Sequence, residues 1–365
     1  MQRDELTEEP GLAPGGHGTS AFTQHWSAVA VMLAKLAEAI PRGDGWRYEP
    51  KWDGFRALAI RDDEAVHLSS RDQRPLQRYF PEVAELLLDA LPPGCVLDGE
   101  IVLTMPHGLD FDRLQLRLHP AASRVRLLAR QLPASFVAFD LLALRGEEVG
   151  EEPFDERRRQ LELLLAGRPV ADLPAATMPG SRLLLTPRTS DFAVGQHWFD
   201  AFEDVGLDGL MAKQWDAPYR PGERAMVKIK HRRTVDCVVG GYRREAAHGS
   251  LGSLLLGLYD AAGTLHYVGH TSSFSAAQRQ EVLGLLRPLE GGDSFGLGRT
   301  PGGPSRWSRG REAAWVSVAP QLVCEVSYDF MQGHRFRHAA RFEHWRTDKP
   351  PTACTIDQLG RLWRE

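Results

Sequence analysis

Near Arg233 the chain changes character, and that change limits what it can fold into. Before it, segments of helical spacing are mixed with apolar runs of strand length. After it come short strand candidates at 238–242, 254–259, 265–269 and 322–328, interrupted by a helical segment at 276–286. Several short strands with one inserted helix in about 130 residues fit a small barrel of the OB type. The earlier part reads as strands at 46–60 (two, joined at Asp53-Gly54), 65–70, 95–103 and 135–144, with helices at 81–91, 154–165 and 192–204. Residues 29–40 read as helical or partly helical, and the helix at 154–165 as apolar mainly through Leu161, Leu163, Leu164 and Leu165. This order is not a regular βαβ repeat, so the expected class is α+β with antiparallel sheets, followed by a C-terminal OB-fold β-barrel. The chain's 365 residues are enough for two cores. The expected division is a flexible tail over 1–24, a mixed domain over 25–232 and a barrel over 233–365, with a short hinge near 231–235 and a Gly-rich loop at 291–303.

A formal net charge of -4 excludes a broadly basic nucleic-acid coat, so any phosphate contact must come from local clusters. Cys95, Cys237, Cys324 and Cys354 are widely spaced and form no Cys-x-x-Cys pair, which argues against a zinc ribbon or a disulfide framework. Buried, reduced thiols are the expectation. No apolar run is long enough to span a bilayer, and residues 1–20 lack a signal-peptide core, so a cytoplasmic location is expected.

The chemistry begins at Tyr48-Glu49-Pro50-Lys51-Trp52-Asp53-Gly54-Phe55-Arg56, a Lys-x-Asp-Gly-x-Arg pattern. Taken alone, Lys51 could be an exposed lysine before an Asp-Gly hairpin turn. It could also be a nucleophilic amine beside a turn and a fixed cation. Arginine could not serve in that role, because its guanidinium stays protonated. An unperturbed lysine is mostly protonated too, with only about one molecule in two or three thousand carrying the free amine at neutral pH. A nucleophilic Lys51 therefore needs cations, a metal or desolvation around it.

Five further segments follow in order: Asp98-Gly99-Glu100, Phe139-Asp140, Asp208-Gly209-Leu210-Met211-Ala212-Lys213, Lys228-Ile229-Lys230 and Arg346-Thr347-Asp348-Lys349. Side chains alternate along a strand, so Lys228 and Lys230 share one face. With the opening pattern, the set resembles the ordered motifs of the ATP-dependent DNA ligases, within the covalent nucleotidyltransferase superfamily. Tyr267-Val268-Gly269 and Arg335-Phe336-Arg337-His338 are most similar to the bacterial LigC type and to the ligase domain of LigD.

The resemblance implies a three-step reaction. Lys51 attacks the α-phosphate of ATP to form lysyl-AMP, AMP passes to a 5′-phosphate, and a 3′-hydroxyl closes the nick in duplex DNA. The centre attacked is anionic, so cations must surround it. Lys228 and Lys230 would neutralise the α-phosphate and lower the pKa of Lys51. Glu100 is implied at the ribose, Phe139 on the adenine ring and Glu49 near the adenine amino group. Arg56 and Arg71 would hold the nucleotide or the nick's 5′-phosphate, and Lys213 joins the nucleotide-binding set. Arg346 and Lys349 would contact the departing pyrophosphate, which implies a hinge cycle with Arg232-Arg233 near the pivot. Asp208 takes the position of a Mg²⁺ or Mn²⁺ ligand, where the commonest family pattern has glutamate, so direct ligation by this shorter side chain stays open.

Arg306, Arg309, Arg311, Arg335, Arg337 and Arg341 are candidate phosphate contacts, or alternatively a solvated loop. The implied partners are nicked duplex DNA and DNA repair proteins such as a polymerase/primase or end-binding factors. The implied setting is a monomer in bacterial repair. Competing readings are an RNA ligase or other covalent nucleotidyltransferase, and a catalytically inert DNA-end binding module.

Overall fold

A computed structural model describes residues 20–106, 108–169, 182–201, 206–245, 249–295, 299–301 and 314–363. The chain divides into two compact units, 1–229 and 230–365. Most of the expected N-terminal tail, residues 1–19, lies outside the described residues; its last positions begin the helix α1, Ala21–Ser27.

Two sheets build the first unit. One has the order β1-β12-β11-β2, from Leu33–Ala37 (β1), Trp46–Pro50 (β2), Leu210–Gln214 (β11) and Arg224–Ile229 (β12). The other has the order β10-β8-β5-β3-β4, from Phe55–Arg61 (β3), Val66–Ser70 (β4), Cys95–Val102 (β5), Ser135–Leu144 (β8) and Leu183–Leu185 (β10). Thr104–Met105 (β6) and Gly108–Leu109 (β7) form a small hairpin, and Glu147–Glu148 (β9) pairs with β8. Pairing is mainly antiparallel, with parallel contacts where β1 meets β12 and β10 meets β8. The helices are α2 (Pro81–Ala90), α3 (Phe111–Gln115), α4 (Ala122–Gln131), α5 (Phe154–Leu164) and α6 (Phe192–Ala201). The final positions of the helix expected at 192–204 fall partly outside the described residues.

The five-strand path is covered on both faces, which is why β3, β5 and β8 read as nearly continuous apolar runs. Ala57, Ala59, Leu97 and Ile101 pack with Phe80, Val83 and Leu87 on the α2 side. Leu58, Ile60, Val96 and Leu142 pack on the opposite face with Met226, Tyr219 and Val31. Each such leucine or isoleucine stabilises the fold by about 2 kcal/mol. The period-two alternation then brings Arg56 in line with Leu58 and Ile60, and Asp98 and Glu100 in line with Val96. The face between the sheets is therefore apolar at one end and charged at the end nearest Lys51.

Two sequence expectations need correction. Residues 33–37 form a strand, because β12, nearly two hundred residues away, supplies parallel backbone partners that local spacing cannot reveal. The buried face of α5 is not simply leucines: Phe154, Arg157, Arg158 and Leu161 are buried at i, i+3, i+4 and i+7, while Leu163 is 63% exposed. The helices α3 and α4 lie in a region for which the sequence reading proposed no element.

The second unit is built on a six-strand sheet whose main path is β15-β14-β13-β17-β20, from Arg233–Arg244 (β13), Leu251–Tyr259 (β14), Leu265–Thr271 (β15), Val323–Tyr328 (β17) and Arg341–Trp345 (β20). Val316–Ser317 (β16) pairs with β13, and Met331–Gln332 (β18) pairs with Arg335–Phe336 (β19). Helix α7, Ala276–Leu286, opens with a capping box formed by Ser275 and Gln278. A bridge between Thr271 and Ala340 brings the two ends of the sheet together, as barrel closure requires. No helix among the described residues is long and apolar enough to cross a membrane.

Candidate active site

The Asp53-Gly54 turn sets Lys51 at the end of β2. A side chain on Gly54 would bring its Cβ within 2.2 Å of the Ile101 carbonyl oxygen and 2.9 Å of Glu100, so only glycine permits this approach of the turn to β5. Trp52 is 5% exposed and donates its indole N–H to Thr186 at 2.9 Å, which anchors the turn from the other side. Lys51 is tied through its backbone to the segment before β11: its N–H donates to the Gly209 carbonyl and its own carbonyl accepts from the Asp208 N–H, both at 2.9 Å. Gly209 makes this possible at φ +127°, in the region that favours glycine. The side chains meet as well, with Lys51 Nζ donating to Asp208 Oδ2 at 2.5 Å. In the structure Lys51 is one half of an ion pair.

Glu100 faces the same end. Desolvation pushes its carboxyl up to about 8; Lys51 and Arg56 pull it down, and Asp53 and Asp98 push it further up. Near neutral pH it is mostly protonated and can both donate and accept a hydrogen bond. A carboxyl raised in the folded state contributes stability that is complete below its ordinary value of 4.5 and lost as pH rises through about 8. The expected result is a thermal midpoint that falls between pH 5 and pH 8.5, with a flatter profile in Glu100→Gln. Melts across that range check it, and an equal slope in the two proteins would refute it.

Phe139 is half-exposed within a strand whose neighbours are buried. It is the extra residue of a β-bulge, since Asp98 pairs with Asp140 and Gly99 with Ala138. Bulges re-aim side chains, and this one leaves the ring accessible. The Arg56 guanidinium lies 5.4 Å from its centroid and Lys213 Nζ 4.9 Å from it. Arg56 grips Asp98 through Nε at 3.0 Å and Nη2 at 2.6 Å, and Tyr219 donates to the same carboxylate at 2.7 Å. Burial alone would lower the Arg56 pKa, but Asp98 outweighs it and raises it. Desolvation, followed by Asp98, pushes the Tyr219 hydroxyl well above its usual range.

Glu49 is 2% exposed and held by two cations, Arg158 Nη1 on Oε1 at 3.2 Å and Lys213 Nζ on Oε2 at 2.8 Å. Lys213 also sits 4.6 Å from the Phe154 centroid. Lys228 lies opposite Met211 in the ladder, as Glu49 does on the other side of β11, so all three share one face. Lys230 begins the second unit. Arg71 is 66% exposed in its side chain and pairs with Asp72 at 3.4 Å; it follows Ser70 of β4, which pairs with Ala57, the neighbour of Arg56.

In the second unit Arg346 and Lys349 converge on Asp236. Arg346 Nη1 reaches both carboxylate oxygens at 2.9 Å and Lys349 Nζ reaches Oδ2 at 2.8 Å. Arg346 also holds Asp348 and keeps its carboxyl down at about 2. Arg335 packs over Tyr267 at 5.0 Å, and Arg341 is exposed. Arg306, Arg309 and Arg311 lie outside the described residues. All four cysteines are buried and unbridged.

Several residues gain importance that the sequence reading did not assign: Asp98, Tyr219, Asp140, Arg157, Arg158 and Asp236. For the two arginines a signal existed, since their spacing from Phe154 and Leu161 puts them on the buried face of α5. Buried arginines need buried carboxylates, but the partners lie far along the chain.

Comparison with known proteins places the chain as a whole. The ATP dependent DNA ligase domain model matches residues 28–230, and the ATP dependent DNA ligase C terminal region model matches 247–349. DNA ligase C2 of Mycolicibacterium smegmatis is 46% identical over 91% of this chain and 94% of its own length. The multifunctional non-homologous end joining DNA repair protein LigD of Mycobacterium tuberculosis is 31% identical over 84% of this chain and 37% of its own. A solved Lig E DNA ligase matches 87% of this chain and 99% of its own at 18% identity with a TM-score of 0.54, a likeness of fold alone.

Proposed function

This chain belongs to the ATP-dependent DNA ligase family, and from that premise we propose that it seals 3′-hydroxyl/5′-phosphate nicks in duplex DNA through a lysyl-AMP intermediate on Lys51. The observation that carries the proposal is the position of Lys51 at the charged end of the face between the two sheets, with Asp208 and Glu100 beside it and the Phe139 ring beside Arg56. Lys51 Nζ forms a bond to the α-phosphorus of ATP, and the bond to the pyrophosphate oxygen breaks. The ammonium must first lose its proton, for which Asp208 Oδ2 at 2.5 Å is the nearest acceptor.

Phe139 offers its half-open ring to the adenine, Glu49 accepts from the adenine amino group and Glu100 bonds the ribose. Arg56 and Arg71 bind phosphate. Lys228 and Lys230 neutralise the phosphate attacked, and Arg346 and Lys349 are the cations for pyrophosphate. AMP then passes to the 5′-phosphate, and the 3′-hydroxyl displaces it to close the strand.

A divalent cation fits this site. The Asp208 carboxylate beside the nucleophile suits Mg²⁺ or Mn²⁺, which complete their shells with phosphate oxygens and water. Among the described residues no group of three or more His, Cys, Asp or Glu forms a protein cage for a metal. When bound, such an ion would offset phosphate charge. Similarity to a DNA repair protein, LigD, supports a role in DNA repair; a cytoplasmic monomer working beside polymerase/primase or end-binding factors is part of the same proposal.

Incubation with labelled ATP and Mg²⁺ or Mn²⁺ should label the protein, and a chase with nicked duplex DNA should release the label as AMP with a sealed strand. Labelling without sealing of DNA, but with sealing of nicked RNA, would move the assignment to RNA ligation. No labelling would end it.

A further inference from the structure

We propose that Arg158 is a positioning residue that sets nucleotide selectivity, by fixing the Glu49 carboxylate from behind in an orientation that admits an amino group and rejects a carbonyl. The inference rests on the reading that Glu49 meets the adenine amino group. Arg158 belongs to none of the motif segments.

Each carboxylate oxygen can accept two hydrogen bonds, and an ionised carboxylate has none to donate. One site on Oε1 is taken by Arg158 and one on Oε2 by Lys213, which leaves acceptor capacity only. Adenine carries a donor at its 6-position, whereas hypoxanthine and guanine carry a carbonyl oxygen there. A carboxylate locked in place cannot satisfy that oxygen. One free to turn about its broad terminal torsion can swing aside and let it in.

The lock itself is rigid. Arg158 is 2% exposed, donates through Nη2 to the Thr186 carbonyl at 2.6 Å and through Nε to Glu162 at 2.8 Å. Thr186 in turn holds Trp52, the neighbour of Lys51, so one bonded chain joins α5 to both sides of the nucleophile's segment. Lys213 is held between the Phe139 and Phe154 rings. The two cations meet Glu49 from different elements, and neither can move without breaking other contacts.

Single-turnover labelling of Lys51 by ATP and by inosine triphosphate separates a selectivity role from a structural one. Inosine triphosphate differs from ATP in carrying a carbonyl where ATP carries the amino group. Wild type should favour ATP. Arg158→Gln should lower the ATP-to-inosine ratio about tenfold, mainly through a higher KM for ATP, and Arg158→Lys should recover part of it. Equal losses with both nucleotides, and an unchanged ratio, would show a structural role and overturn the proposal. Glu49→Gln separates the two readings. If it changes the ratio and Arg158→Gln does not, the clamp is wrong; if neither changes it, the placement of Glu49 at adenine is wrong. Should Arg158→Gln fail to fold, Lys213→Gln removes the other half of the clamp and should lower the ratio in the same direction; an unchanged ratio there also overturns the proposal.

Discussion

Lys51→Ala should abolish formation of the AMP adduct while leaving the fold intact. The Lys51 side chain is 20% exposed and paired with Asp208 at the edge of the site, so its removal should leave both sheets' cores intact. The stability cost of losing a partly exposed pair is about 1 kcal/mol or less. The chemical cost is far larger, because no other group can form the bond to phosphorus: a loss on the order of 10⁴-fold or more. Lys51→Arg is the sharper variant. It keeps a cation beside Asp208 but removes the nucleophile, so it should be as inactive as alanine. Labelled ATP with gel analysis, beside a thermal melt, checks both. Equal labelling of wild type and Lys51→Ala would refute the mechanism outright. Sealing of pre-adenylated nicked DNA by the same variants should persist in part, since that step no longer needs a lysine nucleophile.

The largest effect on stability is expected from Asp140→Ala. Asp140 is 1% exposed and takes two bonds from Arg157, from Nε at 2.8 Å and Nη2 at 3.0 Å, with Arg157 itself fully buried. Removing one partner strands a buried charge, at a cost of about 3–5 kcal/mol. For a unit of this size the thermal midpoint should fall by on the order of 10 °C. Arg157→Ala should cost a similar amount, and the double variant less than the sum, because neither charge is then left alone. Chemical denaturation of the four proteins checks this; additive losses would show that the pair is not a coupled unit. Burial alone would raise the Asp140 carboxyl, but the charge and hydrogen bonds of Arg157, with Lys213 adding, hold it below its ordinary value. Its contribution is therefore complete above the unfolded carboxylate range near about pH 4 and is lost as pH falls below it. The acid limb of stability should move in Asp140→Ala, separately from the neutral-range slope due to Glu100.

Asp140 adjoins Phe139 in sequence, and Arg157 adjoins Arg158. One helix, α5, thus braces two neighbouring parts of the proposed nucleotide face: the bulge that turns out the Phe139 ring, and the Glu49 carboxylate. The arginines were visible in the sequence as charges on a helix, yet their meaning was not. Asp140 lies 17 residues from Arg157, and Glu49 lies 109 residues from Arg158. No local pattern carries information over such distances. The same cause explains residues 33–37, whose strand exists because β12 pairs with it.

Arg71 was legible from its motif position, and its side chain lies exposed beside Asp72. Phe139 was ambiguous in sequence, because a buried aromatic and a stacking aromatic look alike in an apolar run. The bulge opposite Asp98 and Gly99 is what opens its ring.

The sequence by itself determined the chemistry available to this protein: one lysine before an Asp-Gly turn, followed in order by carboxylates, an aromatic and cations. It also determined the two-part organisation, because strand length, turn residues and period-two alternation are local properties. Tertiary structure alone decided which charges are used. It pairs Lys51 with Asp208, closes Arg158 and Lys213 on Glu49, and gives Arg346 and Lys349 to Asp236. Charge pairing depends on distance and on exclusion of water, and both are set only when strands remote in sequence pack together.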